Sequence, residues 1–235
     1  PVTAVSVQGG QRITLSGIFI TDALLGETTY GVDVESGGQV TITRSSIGGG
    51  NGSSSAVGVF VGKGSVVLRD NCDGAASGMC PTRCAADEVL GIRGRVATGG
   101  DTAAASSAVH VTANASVSTI IANTLCGGTT GAAADVSAVG AAGLRCEKGN
   151  CATVSGNFIE GASGRFSVGV VLSGGGGLLA GNAIQPVCAS EAVLGLVVEG
   201  SSARLENNRV LPSACAANQA KLFRRTAGQP WIRSR

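Results

Sequence analysis

The chain has 235 residues, 43% hydrophobic and 14% charged, with a formal net charge of +2. That apolar fraction supports one elongated core, and no stretch approaches the roughly 20 uninterrupted apolar residues that span a bilayer. The tail after Pro212 carries Lys221, Arg224, Arg225, Arg233 and Arg235 and no acid; without these five, 12 of the 17 basic residues face 15 acids, and a mildly acidic body with a basic tail argues against a dedicated nucleic-acid surface.

In chain order, an apolar–variable–apolar triplet recurs as Val5-Ser6-Val7, Val32-Asp33-Val34, Val59-Phe60-Val61, Val109-His110-Val111, Leu144-Arg145-Cys146, Val170-Val171-Leu172 and Leu196-Val197-Val198. Period-two alternation makes each triplet a strand with its outer members inward. Nine to eleven residues after each triplet begins stands a second apolar anchor: Leu15, Ile42, Leu68, Ile120, Val154, Leu179 and Leu205. Three residues on come Ile18, Ser45, Asn71, Asn123, Asn157, Asn182 and Asn208, and two beyond those Ile20, Ile47, Asp73, Leu125, Ile159, Ile184 and Val210.

A period of about 26 residues, with 38 glycines and short β-branched runs, is the pattern of a solenoid in which each turn of chain stacks on the last. The ladder Asn71, Asn123, Asn157, Asn182 and Asn208 fits one corner, since a side-chain amide bonds its equivalent one rung away and asparagine tolerates bent backbone. At about 4.8 Å per rung, seven rungs imply a rod of roughly 30–35 Å.

These features, and the run VVLSGGGGLLAGNAIQP from Val170 to Pro186, resemble the right-handed parallel β-helix repeats of bacterial secreted and surface proteins, the pectin-lyase-like superfamily. The expected fold is therefore all-β, a right-handed parallel β-helix of seven to eight rungs over residues 1–212. Residues 72–108 form a cysteine-rich excursion in which Ile92-Arg93-Gly94 reads as a short extra rung. Residues 213–235 are expected to form a basic cap or tail, with a short helix or folded tail over Ser213 to Arg225 that covers the final rung. Nothing comparable precedes Val5, so the N-terminal end is a candidate surface for self-association.

The eight cysteines form an even set near turns, and with a single histidine, His110, disulfides are expected in place of zinc ligation. Cys146 and Cys151 bracket a short bend and Cys188 and Cys215 occupy equivalent places in consecutive rungs, so each couple is expected to bond. Cys126 then joins Cys72, Cys80 or Cys84. An oxidising, secreted or cell-surface location follows, and no cofactor or metal is expected.

The middle residues of the triplets make an outward column: Ser6, Asp33, Phe60, Arg93, His110, Arg145, Val171 and Val197. A second column holds Gln8, Glu35, Gly62, Arg95, Thr112, Glu147, Ser173 and Glu199. In enzymes of the resembled architecture a carbohydrate lies along such a face, which makes Asp33, Glu35, Phe60, Arg93, Arg95, His110, Arg145 and Glu147 the candidate ligand-binding residues and Asp33, Glu35, His110 and Arg145 the candidate catalytic ones. The two acids sit on one rung, and the acidic clusters and histidine–glycine or arginine–lysine signatures of pectin-cleaving families are missing. The expected function is a structural or binding module, adhesin-like or part of an extracellular assembly, that meets a polysaccharide or surface glycan; the alternatives are a polysaccharide lyase or glycoside hydrolase and a phage-type receptor-binding spike.

Overall fold

The computed structural model describes residues 1–20, 24–72, 84, 90–95, 105–129, 141–213 and 221–226. These form three parallel sheets, and no helix occurs among the described residues. The first sheet contains β1 (Val2–Val7), β4 (Leu25–Val34), β7 (Asn51–Val61), β10 (Ala105–Val111), β13 (Ala141–Glu147), β16 (Gly164–Ser173), β19 (Ala189–Glu199) and β22 (Lys221–Thr226), in that spatial order. The second stacks β2 (Arg12–Ser16), β5 (Gln39–Thr43), β8 (Ser65–Arg69), β11 (Ser118–Ile121), β14 (Cys151–Ser155), β17 (Leu178–Ala180) and β20 (Arg204–Glu206). The third stacks β3 (Phe19–Ile20), β6 (Ser46–Gly48), β9 (Gly91–Arg95), β12 (Thr124–Gly128), β15 (Phe158–Glu160), β18 (Ala183–Gln185) and β21 (Arg209–Val210). Each strand pairs in parallel with the strand three ahead of it, as in a parallel β-helix of seven complete rungs with the first strand of another.

Three apolar files fill the interior. Val32, Val59, Val109, Leu144, Val170 and Leu196 are consecutive partners in the first sheet. Ile42, Leu68, Ile120, Val154, Leu179 and Leu205 are partners in the second. Ile47, Ile92, Leu125, Ile159, Ile184 and Val210 are partners in the third. The file is tightest in the middle rungs, while Val5, Ile13, Leu15, Ile18 and Ile20 of the first rung are only partly buried.

Two corners explain how short strands hold this register. Between the second and third sheets, one residue per rung takes a positive φ: Gly17, Arg44, Asp70, Ala122, Gly156, Gly181 and Asn207. The next residue turns its side chain inward, and there Asn71, Asn123, Asn157, Asn182 and Asn208 link amide to amide at 2.8–2.9 Å. Each amide also donates to a carbonyl of the preceding rung, as Asn157 Nδ2 does to Ile120 O at 2.9 Å. Polar groups buried inside the bend are satisfied this way.

Where the third sheet meets the first, the residue before each triplet is small: Gly31, Gly58, Ala108, Gly143, Gly169 and Gly195. A Cβ on Gly31 would lie 2.7 Å from Ile47 Cγ2, and one on Gly58 2.9 Å from Ile92 Cγ2. The glycine file therefore lets the third sheet's branched side chains press against the backbone of the first.

Several expectations need correction. Ile92-Arg93-Gly94 is not an extra rung: it lies in β9, the third strand of the third rung, and Ile92 occupies the interior place read for Asp73, which lies outside the described residues. Of the short helix or folded tail expected over Ser213 to Arg225, residues 214–220 lie outside the described residues, and Lys221–Thr226 is a strand that extends the first sheet beyond β19, with Phe223 opposite Leu196.

The disulfides Cys84–Cys126 and Cys146–Cys151 are formed; the second closes the bend from β13 to β14. Cys72 and Cys188 are also disulfide-bonded, whereas Cys80 and Cys215 lie outside the described residues. This bonding suits an oxidising compartment. No helix among the described residues is long and apolar enough to cross a membrane.

Candidate functional site

The outer face of the first sheet carries the candidates. Strand alternation turns the middle residue of each triplet outward, and the pairing places Ser6, Asp33, Phe60, His110, Arg145, Val171 and Val197 in one row across β1, β4, β7, β10, β13, β16 and β19. From Asp33 to Arg145 the row climbs three rungs, about 14 Å at the usual strand spacing.

The row changes character along its length. Val171 and Val197 are 1% and 5% exposed, so they are not solvent residues; with Ala142, Val168 and Leu194 they form a second apolar cluster apart from the interior. In this row, solvent-facing side chains are confined to the first five rungs. Arg93 and Arg95 are absent from this face, because β9 belongs to the third sheet, where they pair with Cys126 and Gly128.

Tyr30 joins the site, although the triplet pattern does not reveal it. With unbroken alternation Tyr30 would share the inward side of Val32. The bend at Gly31 instead turns the phenol outward, where it stacks on Phe60 with centroids 4.5 Å apart and planes 6° from parallel. Phe60 in turn meets His110 edge to face at 5.4 Å and 81°. The signal available in the sequence was an aromatic directly before the glycine.

At the far end, Glu147 gathers three donors. Its Oε1 lies 3.0 Å from His110 Nε2 and 2.9 Å from Arg145 Nη2, while Oε2 accepts from Ala113 N at 3.0 Å. The histidine contact is the main reason its pKa falls to about 2, with Arg145 and the Ala113 amide adding to the effect against the opposing influence of burial.

Asp33 behaves oppositely. Burial, then the charge of Glu35, pushes the Asp33 carboxyl up to about 6. Its Oδ1 is buried without a hydrogen-bond partner. Burial and the same two carboxylates also raise the Tyr30 phenol. Neither acid forms an ion pair with a described residue. Glu35 lies over Gly62 of the next rung, in space that a Cβ there would fill.

Beside the pair, Ser6, Gln8, Gly9, Gln11 and Ser36 line a shallow open groove. Among the described residues no group of three or more His, Cys, Asp or Glu side chains is placed to hold a metal ion. What the arrangement offers is a polar and aromatic strip, rich in acceptors at the Asp33 end and with its charges mutually paired at the Arg145 end.

No family model, no curated protein and no solved structure matches the chain.

Proposed function

We propose that the chain is a secreted or surface-displayed binding module that holds a polysaccharide along the outer face of its first sheet, in a coil akin to the pectin-lyase-like proteins. The observation that carries this reading is the ring ladder of Tyr30, Phe60 and His110, contributed by three successive rungs and continued by Arg145 and Glu147. Ring edges supply apolar contact for sugar C–H groups, and the flanking carboxylates and groove amides supply partners for hydroxyls. A rigid stack keeps these groups at fixed spacing, which lowers the ordering cost of binding an extended chain.

The test is a glycan array probed with the intact protein and with Phe60→Ala and His110→Ala, each checked for folding by circular dichroism. Binding lost in both variants supports the reading; full binding by both overturns it.

A hydrolase is the second reading, favoured by Asp33 and Glu35. Two residues apart at the end of β4, they stand side by side on the outer face, and glycosidases work with a pair of carboxyl groups flanking the scissile bond. Asp33, protonated up to about pH 6, would donate to the glycosidic oxygen, and Glu35 would activate water. Mass spectrometry of bound oligosaccharides would detect shortened products that disappear with Asp33→Asn. Polyuronate cleavage has less support, since Arg145 is paired with Glu147 and Arg93 lies in another sheet.

A further inference from the structure

Two carboxylate sites on the same face have contrasting surroundings. Glu147 is matched by an imidazole, a guanidinium and a backbone amide. Asp33 and Glu35, three rungs away, are matched by no cation among the described residues. Like charges side by side and half-buried are unfavourable unless something positive neutralises them.

Three independent features surround that pair. The Asp33 Oδ1 atom is buried with its lone pairs unused. The stacked rings of Tyr30 and Phe60 border it, Phe60 as the strand partner of Asp33 and Tyr30 close enough to feel both carboxylates, and the phenol oxygen can accept from an ammonium group. A groove of hydroxyl and amide side chains opens on its other flank, where Ser6 is the strand partner of Asp33 and Ser36 follows Glu35.

From this combination we infer that the ligand is cationic: a polymer of amino sugars with free amines, one of which sits between Asp33, Glu35 and the Tyr30 ring. This rests on the glycan-binding reading above and names the charge of the glycan. An ammonium supplies three donors to the carboxylates. The ring hydroxyls of the same sugar find Ser6, Gln8, Gln11 and Ser36. A basic peptide would satisfy the carboxylates equally well, but it has no use for a groove lined by hydroxyls and amides, which favours the sugar. Polyuronates are disfavoured by the same two negative charges.

The test is calorimetric titration of the intact protein with four probes: a glucosamine hexamer, its fully N-acetylated counterpart, an oligogalacturonate of similar length and oligolysine. The expected result is at least tenfold tighter binding of the glucosamine hexamer than of the acetylated form, weakening as salt rises. Asp33→Asn and Glu35→Gln should each abolish the preference, while Glu199→Gln, on the same face five rungs from Glu35, should keep it. Should Asp33→Asn fail to fold, Glu35→Gln alone carries the test. Equal binding of the glucosamine and acetylated hexamers, or preference for the galacturonate, overturns the cationic ligand and leaves glycan binding standing. Oligolysine bound in preference to the glucosamine hexamer, or no glycan bound, overturns both.

Discussion

Glu35 rests its carboxylate on the backbone of Gly62, one rung further along the coil. Every other described residue of that row from the second rung onward has a Cβ, so only here does the side chain of the preceding rung have room to lie flat. The position keeps a negative charge beside Asp33. Gly62→Ala should displace Glu35 and bring the Asp33 titration down from about 6 toward the ordinary carboxylate range, read by carbon NMR of the carboxyl group. A titration unchanged in the variant would mean that Glu35 is held by something other than that gap.

The raised Asp33 titration also shapes stability. A carboxyl whose folded pKa lies above its unfolded value binds more protons when folded, so stability is greatest below about pH 4 and declines as pH rises through about 6. The neighbouring strands contribute Ser6 and Phe60, which do not titrate; Tyr30 lies on its own strand and Glu35 just beyond its end, and the N-terminal amine acts weakly in the opposite sense. Asp33→Asn should accordingly raise the melting temperature at pH 7.5 and leave it nearly unchanged at pH 4. Glu147 has the opposite sign: its contribution is complete above about pH 4.5 and is lost as pH falls toward about 2. Glu147→Gln should lower the melting temperature at pH 7 far more than at pH 2.5.

The glycine file predicts unequal costs for one chemical change. A Cβ on Gly143 would run into the Glu160 carbonyl oxygen, and backbone there cannot step aside. Gly143→Ala should cost about 3 kcal/mol, in the range seen for overpacked interiors. At Gly156 nothing lies within 4 Å of an added Cβ, so Gly156→Ala carries only the strain of a positive φ, about 1 kcal/mol. Urea unfolding of the two variants measures the difference directly.

The amide column offers a sharper test. Asn157 Oδ1 accepts from both the backbone and side-chain nitrogens of Asn123 at 2.9 Å, and its Nδ2 donates to Ile120 O and Asn182 Oδ1 at 2.9 Å each. Asn157→Ala removes the partner of Asn123 N and of Ile120 O on the preceding rung and one donor to Asn182 Oδ1 on the following rung, at a cost of about 3 kcal/mol or more. Hydrogen exchange should show lost protection at Asn123 N first.

These contacts show what a reader of the sequence can and cannot see. Interior files are legible because Val, Ile and Leu return at the length of a rung, and alternation carries Asp33, Phe60, His110 and Arg145 outward. The third rung is obscured because the stretch from Cys72 to Leu90 separates Leu68 from Ile92, so the strand that closes that rung arrives late and its arginines read as part of another face. Tyr30 is hidden by the bend at Gly31, which reverses the expected side. Val171 and Val197 look solvent-facing by alternation alone, yet a local rule cannot register the cluster that covers them. Lys221–Thr226 lacks the apolar–variable–apolar pattern and is a strand only because β19 offers it an edge.

The two described disulfides should differ in worth. Cys84–Cys126 closes a loop with a sequence separation of 42, and Cys146–Cys151 one with a separation of 5. Chain-entropy reasoning gives about 4 and about 2 kcal/mol respectively. Paired serine substitutions, compared by thermal unfolding, should preserve that order.

Asn71 and Asn123 are 52 residues apart and bond at 2.8 Å, the same kind of contact that Asn157 and Asn182 make at a separation of 25. The coil therefore counts floors, whatever the length of the landing between them. Segments of foreign sequence grafted into the stretch between β8 and β9 would leave the strip from Tyr30 to Glu147 where it stands, so the outer face and the corners of this molecule are free to diversify independently.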